Sequence, residues 1–86
     1  MKSLTRPRFW QLYRVLPEGI RELARRNYRL FMTNPDHPGL NFKKLHGVGN
    51  YWSVRIGRDY RAVGTRDGET ITRLWIGPHA DYDRLF

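Results

Sequence analysis

A chain of 86 residues without cysteine has room for one domain, taken here as residues 1–86, and excludes a disulfide framework or a thiolate metal site. Sixteen Lys and Arg against eight Asp and Glu give a formal charge of +8, and thirteen of the sixteen are Arg, whose planar fork matches phosphate in two-point contact. Nucleic acid is the leading partner class on that ground, set against a solubilising surface or a basic face neutralised by an acidic protein.

No apolar run approaches the roughly 20 residues of a membrane span, and Met1–Arg6 lacks the apolar centre of a signal peptide, so a cytoplasmic protein is expected. Thr5 is placed to cap a first helix with Pro7 in its first turn, where a missing N–H costs little. Phe9, Leu12, Tyr13 and Leu16 follow at helical spacing. Pro17 ends that run and opens a second helix, giving a helical hairpin. In the second helix Ile20, Leu23, Ala24, Asn27 and Phe31 form one stripe, and Arg21, Arg25 and Arg29 line another at four-residue steps. Glu22 is spaced to pair with Arg26, but the arginine row repels itself and calls for solvent or a binding partner.

Asn34-Pro35-Asp36-His37-Pro38-Gly39 reverses the chain. Leu40–Leu45 reads as a short strand and His46-Gly47-Val48-Gly49-Asn50 as a flexible loop. From Tyr51 the pattern alternates, with Trp52, Val54 and Ile56 on one side and Tyr51, Ser53 and Arg55 on the other. Gly57-Arg58-Asp59 makes a turn, Tyr60–Arg66 a second strand, Asp67-Gly68 a tight hairpin turn and Glu69–Gly77 a third strand. Pro78 closes the sheet, and His79–Phe86 suffices for a turn or two of helix. The expected class is α+β: an N-terminal helical hairpin packed on one face of a small twisted antiparallel sheet, with the other face at least partly open.

The chemistry concentrates in the last third. A three-residue turn after Ile56 sets Arg55 opposite Arg61, and two adjacent guanidinium groups repel unless an anion lies between them; a two-residue turn separates them. Arg55 has a structural alternative in pairing with Asp59, and Arg61 in laying its stem beneath Trp75. Lys43 and Lys44 on a neighbouring strand add to a phosphate-binding face. His79, Tyr82 and Asp83, spaced i, i+3 and i+4, share one side of a helical turn, and imidazole is suited to moving protons near neutral pH. His37 and His46, in turn-rich loops, are read as exposed or as local hydrogen-bond donors, and the three histidines lack metal-ligand spacing. Neither a phosphate-binding loop nor a nucleophile elbow is present.

Leu16-Pro17-Glu18-Gly19-Ile20, Asn34-Pro35, Leu45-His46-Gly47, Tyr51–Ile56, Tyr60-Arg61-Ala62-Val63 and Ile76–Asp83 together resemble, in order, the RelE/ParE superfamily of bacterial toxins from type II toxin–antitoxin systems. The resemblance implies a helical hairpin against a twisted antiparallel sheet. It also implies a cognate antitoxin, an acidic or helix-turn-helix protein, that holds the toxin inactive. Many members cut messenger RNA on the ribosome, without metal or other cofactor; others poison DNA gyrase by binding, and a non-catalytic basic domain is the third reading. On the RNA-cutting branch Arg61 matches the arginine that holds the scissile phosphate, with Arg55 beside it. His79 and Tyr82 fall where those toxins keep a terminal His or Tyr for proton transfer, His79 as base or acid with Tyr82 or Asp83 as its helper, and Lys43 and Lys44 lie near the basic residues of an earlier strand. The family opens with a strand, for which Lys2–Thr5 is the available segment, and Asn41, Phe42 and Lys43 stand where one branch carries a carboxylate base.

Overall fold

The computed structural model describes residues 1–47 and 49–86. In chain order it contains β1 (Lys2–Thr5), α1 (Pro7–Arg14), α2 (Glu18–Thr33), a 3-10 turn (Pro38–Leu40), β2 (Lys43–Lys44), β3 (Tyr51–Ile56), β4 (Tyr60–Asp67), β5 (Thr70–Pro78) and α3 (His79–Leu85). The sheet runs β1-β5-β4-β3-β2, antiparallel except at one edge, where β1 lies parallel to β5 with Ser3 opposite Ile71. The expected antiparallel sheet is thus β2 to β5, and Lys2–Thr5 is the opening strand that makes it mixed.

Pro7 starts α1 because its fixed φ suits a first helical position. Thr5 does not cap the helix: it belongs to β1, and its hydroxyl accepts from the Trp10 indole N–H at 3.0 Å, while Arg6 holds the cap position without a side-chain bond. After Leu16 the Pro17 carbonyl receives the N–H groups of Ile20 and Arg21, and Glu18 places a carboxylate at the positive end of α2. The arginine row finds part of its explanation within the hairpin, since Arg21 Nη1 donates to the Arg14 carbonyl at 3.1 Å and Arg25 Nη1 to the Tyr13 hydroxyl at 2.6 Å. Both bonds tie α2 to the last turn of α1. Glu22 and Arg26 form no ion pair among the described residues.

The predicted strand over Leu40–Leu45 shrinks to Lys43–Lys44. His37 Nδ1 accepts from the Gly39 N–H at 3.0 Å, so His37 acts as a local acceptor, and Asn41 adopts a left-handed φ of 46°, which an Asn side chain tolerates. Between them the tight turn sends Leu40 inward to 1% exposure. Of the loop read over His46–Asn50, Val48 lies outside the described residues. The β4–β5 turn falls one residue later than expected, on Gly68-Glu69, with Asp67 paired to Thr70.

One face of the sheet packs on the hairpin. Phe9, Leu16, Ala24, Ile56 and Ile76 form one core cluster, joined at its edge by Tyr60 and Ala62; Phe31, Leu40 and Ile71 form another, flanked by Phe42, Trp52 and Val54. Gly57, at φ +61°, suits the left-handed conformation that the β3–β4 turn needs; a Cβ there would also lie 2.6 Å from Leu23 Cδ2 of α2, a contact the flexible end of that side chain can relieve.

Candidate functional site

The three-residue turn over Gly57-Arg58-Asp59 decides the register that sequence left open. Ile56 pairs with Tyr60 and Arg55 with Arg61, and Arg61 in turn faces Gly77 on β5. Because side chains alternate along a strand, Lys43, Ser53, Arg55, Arg61, Val63 and Trp75 share the face turned away from the hairpin. Lys43 pairs with Ser53 and joins that face, whereas Lys44 pairs with Trp52 and falls on the hairpin side. Sequence grouped the two lysines; the strand separates them.

Helix α3 lies over one end of this face. The His79 N–H donates to the Asp59 carbonyl at 2.7 Å, so the helix starts anchored to the turn that aligns the two arginines. His79 Nδ1 stands 3.3 Å from Asp83 Oδ2, and its ring stacks on Tyr82 with centroids 5.8 Å apart. Nearly half of the His79 side chain, 46%, is exposed, so Asp83 can orient the imidazole while the other nitrogen stays open to a substrate. The i, i+3, i+4 grouping of His79, Tyr82 and Asp83 is therefore present as spaced.

Arg61 is half-buried. Its Nη1 donates to the Tyr60 carbonyl at 2.7 Å and the Arg58 carbonyl at 3.3 Å, which bends the guanidinium back over its own turn instead of beneath Trp75. The exposed Arg55 side chain makes neither an ion pair with Asp59 nor any hydrogen bond among the described residues; its backbone carbonyl accepts from Asn27 of α2 at 3.1 Å. Two cations thus occupy adjacent cross-strand positions with no carboxylate between them. Gly77 leaves this row open on the third strand, and a Cβ there would sit 2.7 Å from the Trp75 ring.

Ser53 is the site residue that sequence reading missed. Alternation correctly put it on the open face, yet it is 3% exposed, because α3 covers it and the Tyr82 hydroxyl donates to Ser53 Oγ at 3.3 Å. A small hydroxyl residue between Trp52 and Val54, with a tyrosine near the chain's far end, was the available signal. Tyr82 also joins Tyr51, Trp75 and Phe86 in an aromatic set whose contacting rings have centroids 5.6–6.5 Å apart. Tyr82→Phe is expected to cost about 0.5–1.5 kcal/mol, the net worth of one such bond. In a urea-melt cycle the Ser53→Ala, Tyr82→Phe double variant should lose less than the two single changes added, because one bond is counted twice; strict additivity would show that the hydroxyls do not interact.

The fold is that of small toxins of known structure. The RelE chain of the RelB-RelE antitoxin-toxin complex from Methanococcus jannaschii superposes with a TM-score of 0.75 at 22% identity, covering 96% of this chain and 99% of that one. YafQ from E. coli gives 0.76 at 10% identity over 94% and 96%, and the YoeB/ParE toxin from Agrobacterium tumefaciens 0.70 at 21% over 92% and 99%. No curated protein sequence matches the chain. The ParE-like toxin domain family matches residues 18–84, from the start of α2 through most of α3, and the chain belongs to that family.

Proposed function

We propose that this protein is the toxin of a type II toxin–antitoxin pair and a metal-free endoribonuclease that cleaves messenger RNA on the ribosome. The observation that carries the reading is the Arg55–Arg61 cross-strand pair, without an ion-pair partner among the described residues and lying on the face where α3 presents His79. Such a pair is relieved by a phosphate, and phosphate beside an exposed imidazole is the setting for attack by a ribose 2′-hydroxyl.

In that reaction a base takes the 2′-hydroxyl proton, O2′ bonds to the adjacent phosphorus in line, the P–O5′ bond breaks, and an acid returns a proton to the leaving 5′ oxygen. His79 serves as one of these, with Asp83 orienting it through Nδ1. Tyr82, whose hydroxyl is committed to Ser53, acts chiefly by stacking on the His79 ring. Arg55 and Arg61 neutralise charge that builds on the phosphate, the former free to reach outward and the latter pre-set by its own turn, and Lys43 extends the basic track. The partner is an antitoxin, as in the RelB-RelE complex with which the fold is shared.

Induced expression in bacteria lacking antitoxin, with messenger RNA ends mapped in the same cultures, tests the reading. Growth arrest accompanied by new ends that His79→Ala abolishes is the expected result. Arrest that persists in His79→Ala without new ends would replace it with the binding mode, directed at DNA gyrase, for which the exposed Arg26 and Arg29 of α2 offer a basic face. No arrest with folded protein would leave a basic domain without toxicity. In vitro, RNA affinity should fall steeply between about 50 and 200 mM salt, because each phosphate contact releases counterions. A flat salt response would remove phosphate from the account.

A further inference from the structure

On the opposite side of the sheet from Arg61 and His79, the hairpin does not close fully against the strands. A cavity of about 310 Å³ lies between them, within the size range of pockets that hold small organic ligands. Members of both core clusters line it, among them Ile56 and Ile76 from the first and Phe31 and Ile71 from the second. Among the described residues no Asp or Glu contributes to its wall, whereas Arg73 does, together with the exposed Arg25 and Arg29.

Arg73 has an unusual setting for a central strand. Its guanidinium carbon lies 4.1 Å from the Tyr28 ring centroid, 4.9 Å from Phe9 and 5.4 Å from Trp10. The ring faces attract the cation but accept no conventional hydrogen bond from its N–H groups. Nε is buried without a hydrogen-bond partner, and the side chain forms no ion pair among the described residues. Burial also lowers the Arg73 pKa from its ordinary value, with the Tyr28 interaction acting in the opposite sense. A planar, partly desolvated donor set beside an apolar cavity complements a carboxylate attached to an apolar body.

We propose that the cavity between the helical hairpin and the sheet binds a small amphipathic monocarboxylate, with its carboxylate on Arg73 and its aliphatic or aryl body among Phe31, Ile56, Ile71 and Ile76. The site is independent of the RNA-cleavage reading, which uses the other sheet face. A ligand here fills space that the protein's own side chains leave open and satisfies the donors that Phe9, Trp10 and Tyr28 cannot.

The test uses the full chain and three probes with the same ten-carbon body: decanoate, decanol and decyltrimethylammonium. Titration calorimetry should show one decanoate per chain, bound at least tenfold more tightly than decanol, and no saturable binding of the cation. In nitrogen-15 correlation spectra decanoate, and not decanol, should shift the Arg73 Nε–H signal, a readout that needs no variant. Arg73→Met should bring decanoate down to the affinity of decanol, with Arg73→Lys intermediate because it keeps the charge and loses the fork. Equal affinity for decanoate and decanol, absence of saturation by about 1 mM, or shifts confined to surface arginines such as Arg26 would each overturn the proposal. The last two outcomes would leave the cavity to a protein side chain or to general anion adsorption on a +8 surface.

Discussion

Arg61→Ala is expected to lower RNA cleavage by about 10²–10³-fold, the usual cost of removing one preorganised donor from a developing negative charge. The prediction rests on three features of Arg61: its place opposite Arg55, the empty Gly77 position beside it, and the two carbonyl contacts that hold its guanidinium before substrate arrives. Arg61→Lys should recover a minor part of the rate, since an ammonium keeps the charge without the fork. The measurement is single-turnover cleavage of a short RNA, run beside thermal melts of each variant. Losing the contacts to Arg58 and Tyr60 should cost about 0.5–1.5 kcal/mol each, too little to unfold the domain. A folded Arg61→Ala that cleaves at the wild-type rate would refute the clamp; an unfolded one would make Arg61 structural, and Arg55→Ala would then become the test of the pair.

The largest stability effect is expected from Leu40→Ala. Leu40 is 1% exposed and packs with Phe31 and Ile71, although it belongs to a three-residue turn and not to a strand or long helix. Large-to-small changes at such sites cost about 2–5 kcal/mol. Against the roughly 5–15 kcal/mol that small domains have in total, this is a severe loss. At about 4–8 °C per kcal/mol for a domain of this size, the melting temperature should fall by about 10 °C or more. Val15→Ala serves as the control, because Val15 is 79% exposed and should change stability by no more than about 0.5 kcal/mol. If the two variants melt together, the second core cluster contributes little to cohesion.

What could be read from sequence was local. Helical spacing gave the hairpin, prolines its joint, and two-residue alternation gave β3 to β5 and the side on which Ser53 and Arg55 lie. The resemblance to RelE/ParE toxins agrees with the family to which the chain belongs. The missed features depend on residues distant in the chain. Nothing in Lys2–Thr5 names Thr70–Arg73 as its neighbour, nor does Ser53 announce that Tyr82 will cover it. Nothing in the run Glu69–Gly77 sets Arg73 apart from the other arginines; the placement of Phe9, Trp10 and Tyr28 around its guanidinium does. Even the pairing of Arg55 with Arg61 needed the length of one turn, in which Gly57 takes the left-handed conformation.

The parallel pairing of β1 with β5 also bears on the order in which the molecule comes into being. The first strand has no partner strand until Thr70–Arg73 has been synthesised, and β5 lies inside the sheet between β1 and β4. Contacts so remote along the chain are slow to close, because the entropy of a long loop must be overcome before they form. In chain order the hairpin and the two-arginine ribbon precede the strand that completes the sheet, and His79 follows directly after it. The two arginines and His79 therefore come together only once β5 has joined the sheet, so the candidate site is among the later parts of the fold to assemble.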